Sequence, residues 1–213
     1  MVPKVLVIGK SEFFKIISPQ WILRFLIIGF ALELTYNYGI DSYQFGNDLL
    51  YIALHQPAAL ERAEKLGYQV TGNTIHGPDN YNYKILPWVA GRSEQFAAIA
   101  LRVTNISNAK DYWCNLLGLK EVSVIAGLES GYPNCFLGLA ENQTVLQLIE
   151  VQDGQPVDHA LSSGRIAFAC KSVQPIFEVT IFSLYLLDSN RYSDNINIIL
   201  QLFFQPGSIC ERR

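Results

Sequence analysis

Three histidines, His55, His76 and His159, are the side chains best suited to hold a metal or carry a proton at neutral pH, but their spacing matches no ligand motif. Each reads as a surface or loop histidine. The four cysteines, Cys114, Cys135, Cys170 and Cys210, lie far apart with no C-x-x-C pair, which suits reduced thiols in an intracellular protein. No G-x-G-x-x-G phosphate loop and no nucleophile elbow occurs. Two features remain. Glu33 lies in the alternating stretch ALELTYNYG, where a carboxylate either faces solvent or moves a proton. Tyr36, Tyr38, Tyr43 and Phe45 suit a ligand pocket as well as plain packing.

The elements that would position such residues are clearest over residues 96–151. FAAIALRV is a short apolar run with β-branched Ile99 and Val103, suited to a buried strand. Asn105 or Ser107 then caps a helix in which Ala109, Tyr112, Trp113, Leu116 and Leu117 share one face. Gly118 stands where a left-handed C-cap belongs. Strands are expected at 119–125, 134–140 and 144–151, with Glu141-Asn142 turning between the last two. The pattern is βαβββ.

A similar grammar runs earlier in the chain. KVLVIG reads as a strand, Ser18-Pro19 as a helix start, and ALELTYNYG and LLYIAL as strands. Residues 57–66 form an amphipathic helix closed by Gly67, and strands follow at 68–75 and 81–89. Leu32-Glu33-Leu34 precedes Ile52-Ala53-Leu54 by 20 positions, and Leu146-Gln147-Leu148 precedes Ile166-Ala167-Phe168 by the same 20. Fixed-offset similarity marks a duplicated architecture. On that spacing the first copy would open before Met1, and the last module loses its punctuation after Cys170, so both ends read as truncated or replaced. An incomplete product, with open sheet edges that favour self-association, is one reading of such ends.

A length of 213 residues, half of them apolar, is enough to bury a full core. The net charge of −3 leaves no basic patch to neutralise phosphates and excludes nucleic acid as an expected partner. WILRFLIIGF is too short for a bilayer and carries Arg24, so no membrane span is expected.

The stretches ELTYNYG, GND, DYWCNLLGLK, VDHA and GRIAFAC resemble the vicinal oxygen chelate (glyoxalase/bleomycin resistance/dioxygenase) superfamily over residues 31–170. The resemblance implies an α+β fold of repeated βαβββ modules whose curved mixed sheets form a cup. It implies two domains, 1–90 lacking its N-terminal part and 91–213 degenerate at its C-terminus. It also implies a divalent metal, zinc or nickel, held by the first and last strands of two modules. Carried over position by position, the first set has its opening ligand beyond the chain, then Glu33, Tyr51 and Lys84. The second set reads Ala98, Gln147, Arg165 and Cys210. Glu33 is thus the implied catalytic carboxylate and, with Gln147, the implied metal ligand, while Tyr36, Tyr51, Lys84 and Arg165 are implied substrate-binding residues.

Ala98 cannot coordinate, and Lys84 and Arg165 repel a cation. The expected protein is therefore a non-catalytic scaffold for a small-molecule ligand or a protein partner, with no cofactor. The alternative is a metal-dependent lyase or isomerase of the lactoylglutathione lyase type. A homodimer fits either reading, and the expected compartment is the cytoplasm, with mitochondria as the alternative.

Overall fold

The computed structural model describes residues 4–9, 30–35, 44–77, 81–92, 94–151, 155–160, 165–170 and 201–204. In chain order the elements are β1 (Lys4–Gly9), β2 (Ala31–Thr35), β3 (Leu49–Leu54), α1 (Ala58–Lys65), β4 (Gln69–Thr71), β5 (Thr74–His76) and β6 (Asn82–Ile85). They continue as β7 (Phe96–Val103), α2 (Ile106–Lys110) with a π-helical turn (Asp111–Leu116), β8 (Lys120–Glu121), β9 (Asn134–Gly138), β10 (Val145–Glu150), β11 (Arg165–Cys170) and β12 (Gln201–Phe204). The chain divides into two compact units, one of Asn37–Ser163 and one of Met1–Tyr36 with Gly164–Arg213.

The Asn37–Ser163 unit is an eight-stranded sheet in the order β4-β5-β6-β3-β7-β10-β9-β8. It contains two βαβββ modules. In each, the opening strand pairs parallel with the last one, β3 with β6 and β7 with β10. The two opening strands pair antiparallel with each other and join the modules into one sheet. The boundary at residues 90/91 inferred from the sequence falls inside this unit, between β6 and β7. The central strand β7 is buried continuously from Ala97 to Leu101, as a strand covered on both faces must be.

Local chemistry explains the module ends. Asn105 Oδ1 accepts from Asn108 N at 2.9 Å, and Glu150 Oε2 accepts from Ile106 N at 2.9 Å, so two free amides of the α2 start are satisfied. Ala109, Tyr112 and Trp113 are buried on one face. Gly118 takes φ +73°, as its C-cap position requires, and Gly67 takes φ +82° after α1. α1 is largely solvated: Ala63 is its buried residue, and Glu61 pairs with Lys65 one turn on at 2.5 Å.

Some expected strands are shorter or divided. The segment 68–75 is a hairpin of β4 and β5 turned at Gly72-Asn73, with Gly72 at φ +60°, a geometry that favours glycine. The runs expected at 119–125 and 81–89 contract to Lys120–Glu121 and Asn82–Ile85. The Ser18-Pro19 helix start and most of the apolar run 21–30 lie outside the described residues.

The second unit is a four-stranded sheet in the order β12-β11-β1-β2. β1 runs parallel to β2 and antiparallel to β11, while β11 runs parallel to β12. This repeats the pairing of β6-β3-β7-β10. The opening strand that the repeat spacing set before Met1 therefore has its place filled by Lys4–Gly9, which the continuous apolar run Val5–Ile8 suits. Likewise the strand paired with β11 is Gln201–Phe204 rather than the later segment containing Cys210, because the apolar residues Leu202, Phe203 and Phe204 supply it. Cys210 itself lies outside the described residues.

Candidate functional site

Register places the implied ligand positions of the central modules on one face of the eight-stranded sheet. Lys84, Ala53, Ala98 and Val145 pair in one row across β6, β3, β7 and β10. Tyr51, Ala100, Gln147 and Phe136 pair in the next row across β3, β7, β10 and β9. Residues two apart on a strand point the same way, so the rows are neighbours on a common surface.

The small side chains of Ala98 and Ala100 leave room for longer ones to meet across β7. Tyr51 Oη donates to Gln147 Oε1 at 2.5 Å, and Gln147 Nε2 donates to the Leu128 carbonyl at 2.7 Å. Burial pushes the Tyr51 phenol up to about 12, against a smaller opposing effect of its bond to Gln147, so at neutral pH it is a donor. That fixes the orientation of the Gln147 amide: its oxygen faces Tyr51 and its nitrogen faces Leu128. Gln147 is 0 % exposed, so both ends of the amide had to find partners. Lys84 Nζ stands 5.1 Å from the centre of the Tyr51 ring, a cation–π arrangement. Over the same face, Leu128 packs with Ala53, Ala98, Phe136, Val145 and Leu86, and Val122 and Ile125 join them.

Three of the expected site residues, Tyr51, Lys84 and Gln147, are thus brought together. They regroup what the resemblance had placed in separate sets, because the sheet joins the two central modules. Glu33 and Arg165 lie in the other unit, in register with the same residue, Val7 of β1. Their row, Arg165–Val7–Glu33, corresponds in pairing to Tyr51–Ala100–Gln147. Tyr36 lies outside the described residues. Leu128 was not foreseen, since nothing in an irregular segment signals which residue turns inward.

The face does not fit a divalent metal. Ala98 presents a methyl group, Lys84 an ammonium, and the Gln147 oxygen is taken by Tyr51. Among the described residues no three His, Cys, Asp or Glu side chains group closely enough to hold an ion.

Two motifs of the resemblance, GND and VDHA, meet at a second polar cluster. Asn47 N donates to Asp158 O at 2.7 Å, Asp158 N donates to Asn47 Oδ1 at 2.8 Å, and Asn47 Nδ2 donates to Pro156 O at 3.1 Å. His159 Nδ1 lies 2.9 Å from Asp48 Oδ2, while Asp48 Oδ1 accepts from Leu49 N at 2.7 Å. His159 is therefore a paired residue, a role its isolated place in the sequence concealed.

His55 is not at the surface. It is 3 % exposed, directly after β3, with Nδ1 at 2.6 Å from Pro87 O. That contact makes Nδ1 the protonated nitrogen of the neutral ring. Burial lowers its pKa, a bond to Pro87 opposes the shift, and the Arg92 charge adds to it. The unfolded chain therefore binds a proton at higher pH than the folded one. The stability contributed by neutral His55 is full above the ordinary histidine pKa and is lost as pH falls below it. We expect the melting temperature to drop on acidification from pH 7.5 towards pH 5, and less so in His55→Gln. An equal drop in both proteins, followed by circular dichroism, would remove His55 from that role.

For Cys114 and Cys135 the surroundings disfavour the thiolate. Burial pushes Cys135 up to about 11 and also raises Cys114. No helix among the described residues is long and apolar enough to cross a membrane.

Comparison with known proteins agrees with this architecture. The family described as glyoxalase domain-containing protein 4-like, C-terminal domain, matches residues 105–181. Glyoxalase domain-containing protein 4 of Mus musculus is 34% identical over 146 residues, covering 66% of this chain and 47% of that protein. Glyoxalase 1 of Caenorhabditis briggsae is 30% identical over 152 residues, covering 69% of this chain and 50% of that protein. The chain thus spans about half the length of the curated relatives it matches. A V278E variant of glyoxalase I from Zea mays superposes with a TM-score of 0.69 at 19% identity, covering 87% of this chain and 81% of that one. The likeness at that identity concerns the fold, an α+β arrangement of βαβββ modules. With the paired modules and these relatives together, the chain is similar to the glyoxalase-fold proteins of the vicinal oxygen chelate superfamily.

Proposed function

We propose that the Asn37–Ser163 unit is a non-catalytic glyoxalase-fold scaffold that binds a small molecule or a protein partner. The hydrogen-bonded chain Tyr51–Gln147–Leu128 carries this reading. An amide stands at a ligand position with both ends engaged, and its neighbours Lys84 and Ala98 contribute a cation and a methyl group. Such a face can bind and orient, but among the described residues its two rows hold no carboxylate and no open donor set for a Lewis acid, the carboxylate within electrostatic range of Tyr51 and Lys84 being Glu129 on the segment between β8 and β9. The halves 1–90 and 91–213 are then duplicated copies, and the compact unit takes one module from each. A homodimer, no nucleic-acid or membrane partner, and a cytoplasmic or mitochondrial setting complete the reading.

The lyase reading rests on the other sheet. There Glu33 is placed in β2, in the row equivalent to that of Gln147, with Arg165 on the far side of Val7. Substrate would then depend on Glu33 as the proton carrier, with Tyr36 and Arg165 as binding residues. Metal analysis of the purified chain, with an assay of the methylglyoxal–glutathione hemithioacetal in added Zn²⁺ or Ni²⁺, separates the two. We expect substoichiometric metal and no turnover above background. Stoichiometric metal, with turnover lost in Glu33→Gln, would overturn the scaffold reading.

A further inference from the structure

Residues 122–133, between β8 and β9, cross the sheet face that carries Gln147, with Leu128 packed on it. Their ends are pinned to the sheet: Val122 N donates to Phe136 O, and Glu150 N donates to Pro133 O, each at 2.9 Å. Between these pins the backbone turns on itself, with Leu128 N donating to Ile125 O at 3.0 Å and Gly127 N donating to Glu129 Oε1 at 3.1 Å. Gly127 takes φ +85°, which lets the turn aim Leu128 inward. Leu128 is 0 % exposed while its neighbours Gly127 and Glu129 are exposed. The buried contribution of the turn is therefore one isobutyl group and the carbonyl that Gln147 Nε2 grips at 2.7 Å. Val122 and Ile125 are only partly buried beside it.

We propose that this segment is a self-inserted plug, and that lifting it admits a small neutral acyl compound with a branched apolar body and a carbonyl oxygen. This rests on the scaffold reading and names its ligand class. The chemistry follows from what the plug itself supplies. The hollow left under Leu128 is walled by Ala53, Ala98, Val145 and Phe136, which favours an apolar body. Gln147 Nε2 demands an acceptor, because its oxygen stays bound to the Tyr51 hydroxyl and holds the amide in place. A segment held at its ends, by the bonds of Ser123 N and Oγ to the Glu141 carboxylate and by one side chain in the middle is expected to open at lower free energy than the strands beneath it.

Two measurements test this. In the wild-type chain, hydrogen exchange of peptides from 122–133 is expected to run at least about tenfold faster than that of β7 and β10 peptides, and Gln147→Ala to speed the segment selectively. Exchange of the segment and both strands as one cooperative unit would overturn the plug, whatever becomes of the variants. In Leu128→Ala, N-acetyl-L-leucinamide is expected to bind and to move the Gln147 side-chain amide resonances, and binding followed by titration calorimetry is expected to be lost when Gln147→Ala is added. A folded Leu128→Ala that ignores the probe overturns the ligand class. Neither outcome depends on metal or turnover, so a failure of the scaffold reading is registered separately by the hemithioacetal assay.

Discussion

Gln147→Leu should lower the unfolding free energy by about 2 kcal/mol, the cost of leaving one buried and one half-buried polar partner unmet. Leucine is of roughly similar size and removes both hydrogen bonds, so the half-buried Tyr51 hydroxyl and the buried Leu128 carbonyl lose their partners. The loss is not that of a generic core change, because Tyr51→Phe made in the same background should recover about 1 kcal/mol by removing one orphan. Urea unfolding of the four proteins of this cycle gives the coupling directly. Strict additivity of the two substitutions would mean that the phenol and the amide do not act on each other.

Gly46→Ala should cost about 3 kcal/mol, at the upper end of what overpacking produces. A Cβ at residue 46 would overlap the Asp158 carbonyl oxygen and stand 2.8 Å from both the Asp158 and His159 carbonyl carbons. Those are backbone atoms, so no side chain can turn aside. The loop must withdraw, and with it go the bonds between Asn47 and Asp158 and the approach of His159 to Asp48. In a chain of this size the melting temperature should fall by roughly 10 °C. His159→Gln, which leaves the backbone pairing intact, should fall less. Equal stability of Gly46→Ala and the wild type by differential scanning calorimetry would deny the clamp its importance.

The fold was legible where local rules act alone. β7, the Asn105 cap, the Gly118 and Gly67 termini and the Glu141-Asn142 turn all appear where residue type and spacing put them. The Gly72-Asn73 hairpin was missed because a glycine inside an apolar run also fits a continuous strand. The pairing of modules could not be read in advance. It depends on β3 meeting β7, a contact between two opening strands that share no local signal. For the same reason the candidate site was legible in its residues but not in its grouping. Tyr51, Lys84 and Gln147 were named one at a time, and only the shared sheet makes them neighbours. His55 and His159 read as surface or loop histidines in the sequence because burial and partnership are tertiary facts, set for His55 by the Pro87 carbonyl and for His159 by Asp48.

The order of pairing also bears on how the chain can assemble. Every ladder of the eight-stranded sheet joins residues between Leu49 and Glu150, so it closes without either end of the chain. The four-stranded sheet is different: β1 must find β11 across the whole of that sequence. A loop grows costlier to close with its length, by about 0.6 kcal/mol for each doubling when it is flexible. Collapse of the inner unit first shortens that loop to the distance between its two exits. The Asn47–Asp158 clamp, which ties the stretch before β3 to the stretch after β10, holds those exits together. A native clamp of this kind shortens the closure that pairing β1 with β11 requires, so loss of the Asn47–Asp158 bonds should slow the formation of the four-stranded sheet more than that of the eight-stranded one.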